Sequence, residues 1–425
     1  MKEKFFLLKK NCVLVEGALR GALYNLNTGN VYSIDENALK LLKGCFKQRL
    51  SVVDSLLASN IDLPKTEVIK YLKLLQDMEI GYFCQEAKKE QIPIPESTKG
   101  LLKFLWVELT SRCNLRCLHC YNASGEKKEK ARNPRNLTLK QWQKIMFVAK
   151  NLGCQRVQFT GGEPLLMKKM LRELISCAKS LHYNFIEVFT NATLLTNFDI
   201  EFFKKNNVHV AVSLYSSQAK IHDEITQLVG SFKTTLTNLK KLKASKIPLR
   251  VSVIIMKNNE DSIKETLCFI KNDIGITKIK CDVIRPIGRG SKPELIPQKS
   301  KKPLVTQGPK FRKIHRKMFW LRHDGHNCYM DHLCISPKGD VFPCVMERTI
   351  KLGNVKKTPL SDLWKSCYVL KIRGLSKDKI EVCQDCEYRY ACFDCRARVK
   401  QQTNNLYSKP TACQYNPYSG KWQKK

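Results

Sequence analysis

Three features of the sequence predict an α/β protein built around a full or partial β/α barrel. Between residues 103 and 286 six strand-like runs alternate with amphipathic helical stretches, the pattern of parallel strands covered by helices. Residues 1–86 read as a hairpin followed by three helices, a winged-helix-like module. Residues 328–425 hold nine cysteines, eight of them at close, motif-like spacings, which marks a cysteine-rich C-terminal domain. The chain thus divides into the module at 1–86, a linker at 87–102, the barrel at 103–290, a basic linker and helix at 291–327, and the cysteine-rich domain.

In the first region NCVLVEG and GALYNLNTGNVYSID alternate polar and apolar residues around Asn27-Thr28-Gly29, so a β-hairpin with a glycine turn is expected. The N-terminal MKEKFFLLKKNCVLVEG reads as one strand. Its apolar stretch is broken by Lys9, Lys10 and Asn11 and no small-residue cleavage site follows, so it is not read as a secretion signal. Helices follow at ENALKLLKGCFK, SVVDSLLASN and KTEVIKYLKLLQDMEI; in the last, Val68, Tyr71, Leu72, Leu75 and Met78 recur at three- and four-residue spacing. The polar, Pro-containing EAKKEQIPIPESTKG then reads as a linker.

The barrel strands are expected at 103–110, 156–160, 185–190, 208–215, 249–256 and 278–286, with helices such as LTLKQWQKIMFVAKNLG and MLRELISCAKSLH between them. Unusual residues cluster at the strand ends. Cys113 follows the first strand, Gly161-Gly162-Glu163-Pro164 the second and Thr190-Asn191 the third, while Ser213 ends the fourth. In parallel α/β folds the C-terminal strand ends form the active face, so four strands aim special residues at one mouth.

The chain has 425 residues, 43% of them hydrophobic, and a formal net charge of +37. No apolar run reaches the roughly eighteen residues needed to span a bilayer, so a soluble, cytoplasmic protein is expected, with no membrane partner. The basic residues are spread along the chain and Lys dominates. They fit a solvated surface, a nucleic-acid partner or attraction of an acidic peptide, and charge alone does not choose among these.

Nineteen cysteines without a secretion signal point to metal binding or catalysis rather than disulfides. Eleven fall at motif-like spacings. The other eight, such as Cys12, Cys154, Cys268 and Cys367, stand singly and are expected to be buried small hydrophobes. In CNLRCLHCY the thiols of Cys113, Cys117 and Cys120 are soft ligands suited to zinc or an iron-sulfur cluster. Zinc would need a fourth ligand, His119 or a distant residue. A [4Fe-4S] cluster held by three thiolates instead leaves one iron open to a ligand from outside the protein.

CNLRCLHCY followed by FTGGEP resembles the radical S-adenosylmethionine (SAM) superfamily over about residues 103–290. The resemblance implies a partial (β/α)6 barrel in which Cys113, Cys117 and Cys120 hold a [4Fe-4S] cluster and SAM chelates its open iron. An electron from the cluster would then cleave SAM to a 5′-deoxyadenosyl radical. It further implies that His119 lies near the adenine and that the Gly161–Pro164 turn, with Glu163, contacts the SAM amino group. Thr190, Asn191 and Ser213 would reach the ribose or carboxylate, although TNAT here replaces the commoner TNGT of the family. A low-potential electron donor such as flavodoxin or ferredoxin is implied as a partner.

The later cysteines read Cys328-x5-Cys334-x9-Cys344, then Cys383-x2-Cys386-x5-Cys392-x2-Cys395, then Cys413. Their spacing alone also fits a zinc ribbon. Between them SPKGDVFPCV reads as a hairpin turning at Gly339. With the upstream motif, the order resembles the SPASM domain of radical SAM peptide maturases, which carries two auxiliary [4Fe-4S] clusters and brings the total to three. The resemblance assigns Cys328, Cys334, Cys344 and Cys395 to one auxiliary cluster and Cys383, Cys386, Cys392 and Cys413 to the other. One departure is that two residues precede Cys395 where the family often has three. Another is Val345 after Cys344, where sulfatase-maturing relatives place an Asp that acts as base, so that activity is not expected.

Residues 1–86 resemble in pattern and position the elements that bind the leader of a ribosomally made precursor peptide by adding it as a strand to a sheet edge. A small accessory domain and a DNA-binding winged helix are the competing readings of the module, but no helix shows an Arg/Asn/Gln reading face for DNA. The expectation is a radical SAM/SPASM maturase that installs a cross-link in a precursor peptide, a thioether foremost. Its rivals are a peptide epimerase, an RNA-modifying radical enzyme and a zinc-dependent nucleic-acid-binding protein.

Overall fold

The computed structural model describes residues 5–86, 100–125, 136–298 and 313–422. Most of the linker expected at 87–102, and residues 299–312 of the basic segment, lie outside them. The chain forms two compact units. One comprises Gly100–Leu304 with Cys328–Arg373, the other Met1–Lys99, Val305–Asn327 and Gly374–Lys425. The cysteine-rich region is therefore divided between units. Among the described residues no helix is long and apolar enough to cross a membrane.

The N-terminal stretch read as one strand is two, β1 (Phe5–Leu8) and β2 (Cys12–Glu16). The polar Lys9–Asn11 interruption turns the chain between them, Cys12 N–H donating back to Lys9 O at 2.8 Å. β2 pairs with β3 (Gly21–Asn25) and β3 with β4 (Val31–Ile34), both antiparallel, making a meander of three strands rather than a single hairpin. Gly29 sits at φ +78° in the second turn, a conformation a Cβ disfavours. β1 pairs instead with β5 (Gly81–Cys84), a strand the sequence reading lacked.

The three expected helices are α1 (Glu36–Phe46), α2 (Val52–Ala58) and α3 (Lys65–Asp77). Asp35 and Ser51 cap the first two by accepting from the N–H groups of Ala38 and Asp54. Val68, Leu72 and Leu75 of α3 join Leu39, Leu42 and Phe6 in one core. A second core has no counterpart in the sequence pattern. Val15, Ala22, Tyr24 and Leu26 of the meander pack with Ile314, Phe319, Tyr390 and Ala391, and the Tyr24 hydroxyl donates to Glu387 O at 2.9 Å. The N-terminal module is thus continuous with the last cysteine-rich segment.

In the other unit the six expected strands are all present: β6 (Phe104–Glu108), β7 (Arg156–Thr160), β8 (Phe185–Thr190), β9 (His209–Ser213), β10 (Leu249–Ile255) and β11 (Ile279–Val283). They pair in parallel in sequence order. Leu105, Val107, Val157, Val188, Val210 and Val251 are fully buried, each worth about 1.5–3 kcal/mol over an exposed position. Thr138 opens the helix Leu139–Asn151 with a reciprocal capping box to Gln141, and Thr196 does the same with Asp199 for Asn197–Lys205.

A seventh parallel strand comes from the cysteine-rich region. β12 (His332–Ile335) lies beside β6 with His332 opposite Phe104 and Ile335 opposite Val107. β13 (Asp340–Phe342) returns antiparallel through the expected turn, where Gly339 has φ +89°, and β14 (Gly353–Asn354) ends the sheet. Of the single cysteines, Cys12, Cys45 and Cys154 are buried and Cys84 and Cys177 half-buried, but Cys281 on the edge strand β11 is exposed, as are Cys268 and Cys367, which corrects the expectation for these three. Cys268 and Cys367 lie at ends of short helices, Ile263–Cys268 and Cys367–Arg373, where local position rather than thiol hydrophobicity sets exposure.

Candidate active site

The loop after β6 carries Cys113, Cys117 and Cys120. Leu115 anchors it by burying its side chain, and the N–H groups of Arg116 and Leu118 donate to Thr226 O and Ile225 O at 3.1 and 2.9 Å. Cys117 and Leu118 pack on Tyr215, Ile225, Met256 and Ile284. Cys120 N–H donates to Cys117 O at 3.2 Å, closing a tight turn that keeps these two thiols together. Burial pushes the Cys113 thiol up to about 12, with Glu163 and Cys120 adding to the effect. Burial likewise raises Cys117, next to Cys113 and Cys120. A metal must displace these protons to bind, so loading the loop releases them.

The turn after β7 is locked to the cysteine loop by close backbone approach. Gly162 N–H donates to Thr110 O at 2.6 Å and Glu163 N–H to Arg112 O at 2.8 Å. A Cβ on Gly162 would lie 1.9 Å from Arg112 O, so only glycine fits. Glu163 is fully enclosed and braces the next strand end: its carboxylate accepts from Leu165 N–H at 2.9 Å, the Thr190 hydroxyl at 2.7 Å and Asn191 N–H at 2.8 Å. Burial outweighs these bonds and raises its pKa to about 7. Pro164 opens the 3-10 turn Pro164–Met167 that follows.

Asn191 reaches back to the loop, its side-chain N–H donating to Asn114 Oδ1 at 3.0 Å and lying 3.9 Å from Cys113 Sγ. Ala192 stands at φ +62°, where the family's glycine would be unstrained. Ser213 ends β9 two residues before Tyr215, whose buried ring packs with Cys117 and lies edge-on to His119 at 4.6 Å. His119 is held neutral, its pKa lowered to about 4 by burial and then by Arg289 and His222.

Two features escaped the sequence reading. Tyr215, two residues past a strand end, carried no motif. Gly288-Arg289, which carried no motif at the end of the 103–290 segment, clamps the cysteine loop. Arg289 donates from its backbone to Cys120 O at 3.0 Å, from Nε to Cys117 O at 3.0 Å and from Nη2 to Ser124 O at 2.6 Å. Gly288, at φ +57°, lies so close that a Cβ would meet Cys120 O at 2.4 Å. A glycine-flanked arginine at the end of the sixth strand was the available signal.

The buried polar atoms His119 Nδ1, Asn122 Nδ2, Ser124 Oγ and Arg289 Nη1 have no hydrogen-bond partner among the described residues, and all surround this loop. Three thiols and a ring of unsatisfied polar atoms fit a sulfur-ligated cluster with one polar small-molecule ligand.

Of the later cysteines, Cys328, Cys334 and Cys344 belong to the barrel unit and Cys395 to the other. Cys334 is buried on β12, with Arg348 Nη1 4.0 Å from its sulfur; Arg348 is ion-paired to Glu108 at the end of β6. Glu108 also accepts from the Tyr121 hydroxyl at 2.8 Å. Cys383, Cys386, Cys392 and Cys413 line one small cavity together with Lys377, Arg389 and Lys409. Four thiols around one space, with basic side chains and no carboxylate among its lining residues, suit a negatively charged four-iron cluster. Among the described residues no three His, Cys, Asp or Glu side chains are gathered closely enough for a single ion.

The fold and the cysteine sites define a radical SAM protein with an iron-sulfur C-terminal domain. Residues 107–270 match the radical SAM superfamily and residues 328–387 the SPASM iron-sulfur cluster-binding domain, so the chain is an enzyme with SAM and [4Fe-4S] cofactors. It is 24% identical to the AdoMet-dependent heme synthase of Methanosarcina barkeri over 73% of this chain and 95% of that one. It is 25% identical to the antilisterial bacteriocin subtilosin biosynthesis protein AlbA of Bacillus subtilis, over 81% and 78% of the two chains. The fold is that of Streptococcus suis SuiB, solved with bound SAM (TM-score 0.57, 16% identity, 96% of this chain and 100% of that chain) and with precursor peptide SuiA (TM-score 0.56, same identity and coverage).

Proposed function

We propose that this enzyme is a maturase of a ribosomally made precursor peptide, that it holds three [4Fe-4S] clusters and that it installs a cross-link, a thioether foremost. The observation that carries the reading is the N-terminal module. The meander ends in β4, which among the described residues pairs with β3 on one side only, whereas the other edge strand, β2, has its Glu16 O taken by Arg389 Nη1 at 2.6 Å. β4 therefore offers an edge to which an extended leader can add as a further strand. The likeness to SuiB, which binds a precursor peptide, spans 96% of this chain and so supports the same role for the module. AlbA, a bacteriocin biosynthesis protein, supports a peptide substrate.

Cys113, Cys117 and Cys120 hold the first cluster, with SAM beside His119, the Gly161–Pro164 turn, Thr190, Asn191 and Ser213. When bound, these groups supply a carbon-centred radical that takes a hydrogen atom from the peptide, and the auxiliary clusters supply an acceptor for one electron. Gly288 and Arg289 fix the loop, Asn191 orients Cys113, and Glu163 holds two strand ends in register. Joining a peptide thiol to the carbon releases one proton and one electron besides the abstracted hydrogen, so an oxidising centre suits thioether formation better than epimerisation, which has no net oxidation. A low-potential donor such as flavodoxin or ferredoxin provides the initiating electron.

The test is anaerobic co-expression with a precursor encoded beside the gene, followed by mass spectrometry. Loss of two mass units is expected. An unchanged mass with altered stereochemistry would mean epimerisation, and an untouched peptide alongside a modified RNA or porphyrin would overturn the proposal. Cys117→Ala must abolish 5′-deoxyadenosine formation.

A further inference from the structure

Lys377 is a charged side chain buried beside the cavity of Cys383, Cys386, Cys392 and Cys413, and no hydrogen bond among the described residues accounts for its placement. Only 6% of the residue is exposed, and its Nζ makes no hydrogen bond among the described residues. Among the described residues its one ion-pair contact is Asp394 Oδ2 at 3.3 Å. Asp394 is already engaged by His326 Nε2 at 3.1 Å and by an ion pair with Arg396. Two cationic side chains, Lys377 and Arg396, thus share the one Asp394 carboxylate. Arg389 and Lys409, also on the cavity, have partners: Asp378 Oδ1 at 2.7 Å and Tyr415 O at 2.7 Å. Of the three, Lys377 is the one whose charged group makes no hydrogen bond among the described residues.

Burying a lysine without a hydrogen-bonded partner is costly. Its electrostatic neighbours besides Asp394 and Arg396 are Cys392 and Cys383, both lining the cavity. Four thiolates with a [4Fe-4S] core carry net negative charge, which grows by one on reduction. A fixed cation beside such a cluster favours the reduced form, since net charge and hydrogen bonds to sulfur set cluster potentials.

We infer that Lys377 is a positioning residue that directs its ammonium group at the cluster held by Cys383, Cys386, Cys392 and Cys413 and raises that cluster's reduction potential, making it the electron-accepting site. The inference rests on the proposed three-cluster reading. Lys377 neither ligates iron nor touches the peptide; it acts through the charge it holds near the sulfurs.

The test is a redox titration with dithionite of the anaerobically reconstituted full chain, followed by electron paramagnetic resonance. The signal that disappears in Cys413→Ala identifies this cluster; if iron does not fall by about four per chain there, the cluster assignment itself has failed. In Lys377→Met the reduced-to-oxidised ratio at fixed potential should drop at least tenfold, a shift of about 59 mV for one electron, while Lys377→Arg stays within threefold of wild type. Lys377→Met with full iron and an unmoved potential would overturn the inference. Should that variant not fold, Asp394→Asn keeps the cation and removes its counter-charge. It must raise the reduced fraction at least threefold, and an unmoved potential there overturns the inference equally.

Discussion

Gly162→Ala tests how the turn after β7 builds the cysteine loop. The added Cβ would stand 1.9 Å from Arg112 O, 2.4 Å from the carbonyl carbon and 2.9 Å from Ser111 O. Ordinary contact begins near 3.4 Å, so backbone must move by about 1.5 Å in a region with no flexible side chain to yield. Movement of that size breaks the bonds of Gly162 N–H to Thr110 O and Glu163 N–H to Arg112 O. Overpacking costs about 1–3 kcal/mol and each of the two lost bonds about 0.5–1.5 kcal/mol, giving a destabilisation of about 2–6 kcal/mol. Arg112 precedes Cys113, so the displacement also reaches the first thiol. Gly230→Ala is the control: Gly230 has φ +82° but nothing within 4 Å of its Cβ position, so it should lose only about 1–2 kcal/mol of backbone strain. Urea unfolding of both full-length variants, with iron measured after anaerobic reconstitution, makes the comparison. Gly162→Ala should unfold earlier than the control and lose about four irons per chain. Equal stability with full iron would refute the reasoning.

Arg289→Met removes two charge-assisted bonds to the cysteine loop, each worth about 1.5–3 kcal/mol. Iron should be lost from the first site and SAM cleavage should fall at least tenfold, with the auxiliary spectra unchanged. Arg250→Met strips Glu187 of its two-pronged partner, whose bonds measure 2.8 Å each. Leaving that carboxylate buried costs about 3–5 kcal/mol, read as an earlier unfolding transition. Asp199 would be raised by burial, but hydrogen bonds from Arg172, Lys168 and Thr196 win and hold it at about 2, below the ordinary 3.8. As pH falls from about 4 towards 2 the unfolded chain takes up a proton that the folded chain refuses, so stability is lost across that window. Asp199→Asn should flatten that part of the stability profile against pH while lowering stability at neutral pH.

The barrel was legible because its strands are apolar runs of β-branched and aromatic residues separated by helical periodicity, two local patterns. The cysteine loop and the GGEP turn were legible because their chemistry is written in consecutive residues. What the sequence concealed lies between distant segments. The partnership of β12 with β6 joins residues more than 200 positions apart, and β12 is only four residues long. The packing of Tyr24 and Val15 against Phe319 and Tyr390 likewise leaves no periodic trace. Arg289 and Lys377 were invisible for another reason: with 75 Lys and Arg residues, one basic side chain turned inward looks like any other until its burial is known. Glu163 was expected to meet SAM, and the structure adds three protein donors that engage its carboxylate.

The central claim is that one open and two closed iron-sulfur sites share this chain. Iron and sulfide analysis of the anaerobically reconstituted full-length enzyme tests it directly. About twelve irons per chain are expected, falling to about eight in the variant with Cys113, Cys117 and Cys120 all changed to Ala and to about eight in Cys413→Ala. Four irons accompanied by zinc would remove the auxiliary clusters from the account, and a chain that binds no iron would contradict it altogether.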